Sequence, residues 1–124
     1  MIKDGWVVTH DPLTVPFGTI NLHIDLGAER LLAAEKGIEK IAVEVKNFLS
    51  PSMVSEFHTA LGQFLNYQVV LEENDPERQL YLAVPIDAYR EFFSLEITHR
   101  ITQRFQVKLL VFRPEQEVIA EWKN

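Results

Sequence analysis

No cysteine occurs in the 124 residues, so the chain forms neither a disulfide framework nor a thiolate metal site, and a reducing cytoplasm suits it. Long apolar runs are missing too. No stretch approaches the roughly 20 residues a membrane-spanning helix needs, and the start, Met1-Ile2-Lys3-Asp4-Gly5-Trp6, lacks the basic region and apolar stretch of a signal peptide. A cytoplasmic protein with no membrane contact is predicted. Neither a Gly-rich phosphate loop nor a nucleophile elbow is present, which excludes the commonest nucleotide-binding and acyl-transfer designs. Positive charge is in deficit: 12 Lys and Arg against 18 Asp and Glu give a net charge of −6. Affinity for a phosphate backbone comes mainly from clustered Lys and Arg, so any DNA contact must be local, metal-assisted or lent by a partner. What remains is the composition of a soluble globular chain, 47% hydrophobic and 24% charged, long enough for one core and read as a single domain over 1–124.

The pattern along the chain is that of alternating strands and helices. Trp6 to His10 reads as a strand stopped by Asp11-Pro12. Ile20, Leu22 and Ile24 alternate with Asn21, His23 and Asp25, a second strand with apolar and polar faces. Leu26 to Lys36 is ambiguous, with strand preferred after a bend at Gly27. Lys40 to Lys46 is the clearest strand: Ile41, Val43 and Val45 share one face, Ala42, Glu44 and Lys46 the other. Ser50-Pro51 predicts a helix start, with Ser50 as N-cap and Pro51 at the first helical position. Apolar residues from Met53 to Leu71 recur at three- and four-residue spacing and carry that helix to about Leu71. Leu80 to Val84 reads as a strand buried on both faces. Asp87 then caps one helix or two short ones as far as Phe105, broken near Ser94. Strands at Lys108 to Phe112 and Val118 to Trp122 close the chain. The order β-β-β-α-β-α-β-β predicts an α/β fold, a mixed sheet flanked by helices.

The chemistry concentrates at Asp25 and, nineteen positions later, Glu44-Val45-Lys46. If the strands pair, the three charges converge. Two carboxylates can hold Mg²⁺ through oxygen, and a Lys beside them can orient a nucleophile or neutralise charge, which is what metal-dependent phosphodiester cleavage requires. The flanks of Glu44 and Lys46 are apolar, so the pair is expected to be half buried, where charges need a partner or a metal. Gln63 and Tyr67, four apart on the following helix, share a face that can reach the acidic cluster or a phosphate. His23, two residues before Asp25, should face the same side. His10, His58 and His99 have no paired metal spacing and read as surface histidines. Glu29 and Glu35 read as solvated strand-edge residues that could flank the cluster. Trp6, Trp122 and the eight Phe read as core.

Asp25, Glu44-Val45-Lys46 and Gln63/Tyr67 resemble the PD-(D/E)xK nuclease signature with the helical motif of its RecB-like branch. Taken with Ile2-Lys3-Asp4-Gly5-Trp6, His10-Asp11-Pro12-Leu13-Thr14, Asp25-Leu26-Gly27-Ala28-Glu29, Ala33-Ala34-Glu35-Lys36, Ala60-Leu61-Gly62-Gln63 and Leu80-Tyr81-Leu82-Ala83-Val84-Pro85, the chain resembles the XisH family along nearly its whole length. Ile24 stands where the nuclease signature has Pro. The resemblance implies a restriction-endonuclease-like fold serving programmed excision of a DNA element, with DNA and an XisI-type protein as partners. The roles it implies are metal ligands for Asp25 and Glu44, with Mg²⁺ or Mn²⁺, a catalytic Lys46, and supporting contacts from Gln63, Tyr67 and His23. It also implies an amino-terminal helix ahead of the Lys-Asp-Gly-Trp block, on which this chain almost begins. A sheet without that helix is expected to expose an apolar face near Trp6 and Phe17. A homo- or hetero-oligomer would cover it.

Overall fold

Alternating side chains sort the strands onto the two faces of one twisted sheet. A computed structural model describes residues 5–31, 37–115 and 118–123. Six strands pair in the order β1 (Val7–His10), β4 (Leu26–Leu31), β5 (Ile38–Val45), β6 (Arg78–Pro85), β7 (Lys108–Arg113) and β8 (Val118–Lys123). The β5–β6 and β6–β7 pairs are parallel and the other three antiparallel. This is the predicted mixed α/β architecture. Strands β2 (Leu13–Phe17) and β3 (Ile20–Ile24) form a separate hairpin.

The parallel pairs force crossovers, and helices supply them. α1 (Met53–Asn74) joins β5 to β6. A short turn α2 (Ile86–Ala88), a π-helical turn (Tyr89–Phe93) and α3 (Glu96–Arg104) join β6 to β7. The break predicted near Ser94 falls between these last two. Ala42, Leu80, Leu82, Val84, Leu109 and Val111 face the larger core, which also holds Leu13, Val15 and Ile24 of the hairpin and Phe57, Ala60 and Phe64 of α1. Ile41, Val43, Tyr81, Ala83 and Leu110 face the other way, against Trp6 and Ala28. Each large side chain so buried contributes roughly 1.5–3 kcal/mol, and Phe64, Leu82 and Leu110 are at most 1% exposed.

Several local expectations are corrected. Leu13–Phe17 is a strand, because Leu13 and Val15 bury against α1 while the chain folds back at Gly18. Ile20 is 60% exposed at the hairpin tip, so the apolar face of β3 reduces to Leu22 and Ile24. The N-cap of α1 is Ser52, whose Oγ accepts the Ser55 N–H at 3.1 Å, and the helix runs to Asn74. Pro85 precedes α2 and Asp87 lies inside it, making no side-chain cap. Trp6 is 4% exposed, with the Arg30 guanidinium 4.6 Å from its ring centroid, so the exposed apolar face predicted near Trp6 is closed. Phe17 remains 41% exposed, as does Phe105 at 42%. Glu29 lies near Arg78, away from the Asp25/Glu44 cluster. Glu35 and the side chain of Trp122 lie outside the described residues.

Candidate functional site

The site stands at the carboxyl ends of the parallel strands, where open α/β sheets hold ligands. β4 runs antiparallel to β5 with Leu26 opposite Val43, so the bend before β4 sets Asp25 beside the last residues of β5. There the Asp25 side chain takes over from the backbone ladder: the Val45 N–H donates to Asp25 Oδ2 at 2.8 Å, and the Asp25 N–H donates to Glu44 Oε1 at 3.2 Å. Lys46 is tied to the neighbouring strand by its own N–H, 2.9 Å from the Ala83 carbonyl. Its ammonium lies 3.7 Å from Glu44 Oε2. Even-numbered residues of β5 face α1, so Glu44 follows Ala42 into the helix-covered side and is only 6% exposed. Asp25 is exposed, and Lys46 is half-buried.

Crowding of the two carboxylates shows in their electrostatics. Burial, then the charge of Asp25, pushes the Glu44 carboxyl above its ordinary range, against the opposing pull of the Asp25 N–H and Lys46. Burial also raises the Tyr67 hydroxyl, and the charges of Glu44 and Asp25 raise it further. Tyr67 on α1 therefore belongs to the same electrostatic neighbourhood. Gln63, one turn earlier, is half-buried and its Oε1 is buried with no hydrogen-bond partner. His23 is exposed on the hairpin, where its Nδ1 lies 3.1 Å from Thr14 Oγ1. The structure thus brings together Asp25, Glu44, Lys46 and Tyr67, with Gln63 adjacent on the same helix and His23 occupied elsewhere.

The residues fit a hard divalent cation. Two carboxylates converge, and their mutual repulsion is a cost a cation would remove. Among the described residues no group of three His, Asp or Glu gathers. Mg²⁺ keeps several waters and takes one or two carboxylates plus substrate phosphate oxygens, so two acidic ligands suffice for such a site.

Sequence reasoning missed the segment leaving the site. Phe48 has a left-handed backbone, φ 55°, and its ring packs edge-on against Phe93 with centroids 5.2 Å apart. The only signal was an aromatic residue two positions beyond Lys46.

No helix among the described residues is long and apolar enough to cross a membrane. No curated protein sequence matches the chain. Two solved structures do. A crystal structure of an XisH family protein from Nostoc punctiforme PCC 73102 is 51% identical, with a TM-score of 0.87 over 98% of this chain and 91% of that one. The crystal structure of a fdxN element excision controlling factor protein from Anabaena variabilis is also 51% identical, with a TM-score of 0.87 over 98% of this chain and 90% of that one. The family model for XisH protein matches residues 1–120, and this chain belongs to the XisH family.

Proposed function

We propose that the chain acts in the excision of a DNA element as a controlling factor built on a PD-(D/E)xK nuclease-like fold, with a phosphate-directed site at Asp25, Glu44 and Lys46. The observation that carries this reading is the exchange of hydrogen bonds between Asp25 and the Glu44–Val45 segment, with the Lys46 ammonium beside Glu44. Asp25 and Glu44 would hold Mg²⁺ or Mn²⁺. When bound, the metal polarises a phosphate and lowers the pKa of water. Lys46 sets an ammonium where it can balance phosphate charge or orient an attacking water. Tyr67, buried on α1 within the field of both carboxylates, would brace the helix side of the site. The description of the Anabaena relative as an excision controlling factor supports the biological role. The net charge of −6 favours a protein that works on DNA with a partner, an XisI-type protein or a second copy, over one that grips DNA alone.

A second reading, an active metal-dependent DNA endonuclease, is favoured by the intact set of Asp25, Glu44 and Lys46. One experiment separates the two. Calorimetric titration with Mn²⁺ is expected to show binding that Glu44→Ala abolishes, since Asp25 alone supplies too few oxygens. The protein is then incubated with single-stranded, duplex and branched DNA plus Mn²⁺, with and without an XisI-type protein. Cleavage lost in Lys46→Ala establishes the endonuclease. DNA or partner binding without cleavage, unchanged in Lys46→Ala, is the result expected of the controlling factor. Absence of both metal and DNA binding removes the reading.

A further inference from the structure

Three residues beyond Lys46 the chain presents Leu49, 86% exposed, the most exposed large apolar side chain among the described residues. A lone surface leucine ordinarily needs no explanation. This one is held out on a braced mount. Before it, Phe48 adopts φ 55°, a conformation costly for a bulky side chain and kept only where the surroundings enforce it. The Phe48 ring is 4% exposed, wedged against Phe93 at 5.2 Å and Phe92 at 6.3 Å. Phe57 of α1 closes the cluster, 5.4 and 5.6 Å from the same two rings. After it, the Ser50 N–H donates to Glu56 Oε2 at 2.9 Å, and Ser50 Oγ accepts the Ser52 N–H at 3.3 Å. Both neighbours of Leu49 are thus pinned, so the side chain is held out by its setting.

What a rigidly exposed apolar tip can recognise is limited by where it stands. Three residues span at most about 10 Å, roughly three base-pair steps, so Leu49 lies within reach of bases next to a phosphate held at Lys46. Apolar wedges of this kind enter opened base steps and replace the lost stacking. They also supply affinity that does not depend on clustered Lys and Arg, which a chain of net charge −6 lacks.

Resting on the DNA reading above, we propose that Leu49 is a wedge that packs into an opened base step beside the phosphate addressed by Asp25, Glu44 and Lys46. The preferred substrate is then DNA with an unstacked step, a bulge or branch, in preference to uninterrupted duplex.

The test compares wild type, Leu49→Ala and Leu49→Phe on aminopurine-labelled DNA, as plain duplex and as the same duplex interrupted by a bulge. Ca²⁺ is present as the carboxylate-held cation. All three proteins should melt alike, because residue 49 is exposed. Wild type should bind the bulged DNA about tenfold more tightly than duplex and raise the aminopurine fluorescence on binding. Leu49→Ala should lose both the preference and the fluorescence rise with duplex binding unchanged, and Leu49→Phe should retain both. A Leu49→Ala protein that keeps the preference and the fluorescence overturns the wedge while leaving the DNA reading in place. No DNA binding by wild type in any form overturns both. If Leu49→Ala weakens binding of an XisI-type protein and leaves DNA binding intact, the residue belongs to a protein interface and the wedge is wrong.

Discussion

Where β5 begins, Lys40 Nζ lies 2.8 Å from Asp75 Oδ1, and the Arg78 guanidinium spreads over Asp75 Oδ2 at 3.0 Å, the Ile41 carbonyl at 2.9 Å and Glu29 Oε2 at 3.5 Å. Where β5 ends, the Lys46 ammonium lies 3.7 Å from Glu44 Oε2, with the Asp25 carboxylate beside them on the Val45 N–H. The first cluster is closed. Burial alone would raise Asp75, yet hydrogen bonds from Lys40 and Arg78 hold its carboxyl below the ordinary range. The second is left open: burial and Asp25 push Glu44 up, and Lys46 only partly offsets them. A buried charge that keeps its partners is tolerated, and one that lacks a partner is strongly destabilising. One strand thus carries a closed ionic network at its start and, at its end, a pair of carboxylates only partly offset by Lys46.

The closed network should break with the largest effect. Arg78→Ala leaves the Ile41 carbonyl without its donor and Asp75 with Lys40 as its remaining cation, and loss of one partner from a buried ionic network costs about 3–5 kcal/mol. Urea denaturation should show that loss, with Arg78→Lys between the variant and wild type because an ammonium cannot reproduce the fork. A loss under 1 kcal/mol would mean that the two ends of β5 do not differ in kind. A smaller effect is expected at Gly27, where an added Cβ would sit 3.1 Å from His10 Nδ1 and 3.2 Å from Arg78 Nη1. Gly27→Ala should cost about 1–3 kcal/mol through overpacking. That loss should shrink only in part in the Arg78→Ala background, because the His10 contacts at 3.1 and 3.2 Å remain.

The two clusters were not equally legible in the sequence. Glu44 and Lys46 stood out because a period of two in a β-branched strand makes a charged pair visible, and α1 was readable from its three- and four-residue spacing. Asp25 was placed near them by its position, but its place in the ladder depends on the β4–β5 register, with Leu26 opposite Val43, which no local pattern encodes. Arg78 drew no attention. It looks like a strand-edge cation, and its partners Ile41 and Glu29 lie 37 and 49 positions earlier. β2 escaped because Pro16 interrupts its alternation, and proline is tolerated there in a two-stranded hairpin outside the main sheet. The helix start slid from Ser50 to Ser52 because Ser52 Oγ takes the Ser55 N–H while Ser50 Oγ accepts the Ser52 N–H ahead of the helix.

The smallest effect should sharpen the contrast most, because the two clusters predict opposite signs. A carboxyl raised in the folded state favours folding most below its ordinary value of 4.5, and that contribution is lost as pH rises through the raised value. Asp75 is lowered, so its contribution is present above its ordinary value of 3.8 and is lost as pH falls through the lowered one. In metal-free buffer at neutral pH, Glu44→Gln should therefore stabilise the protein by roughly 1 kcal/mol, the size of an ordinary single-site effect, while Asp75→Asn destabilises it. Thermal melts between neutral pH and about pH 3 check both. The Glu44→Gln advantage should shrink as wild-type Glu44 takes up its proton, and the Asp75→Asn deficit should persist until the solution is more acidic still. Saturating Mn²⁺ should reverse the first sign, since only the ionised carboxylate is a good ligand and bound metal stabilises the folded chain by mass action. A Glu44→Gln protein less stable than wild type in metal-free neutral buffer would show that Lys46 already compensates the pair. The end of β5 would then be a second closed network, with no unmet charge to offer a cation.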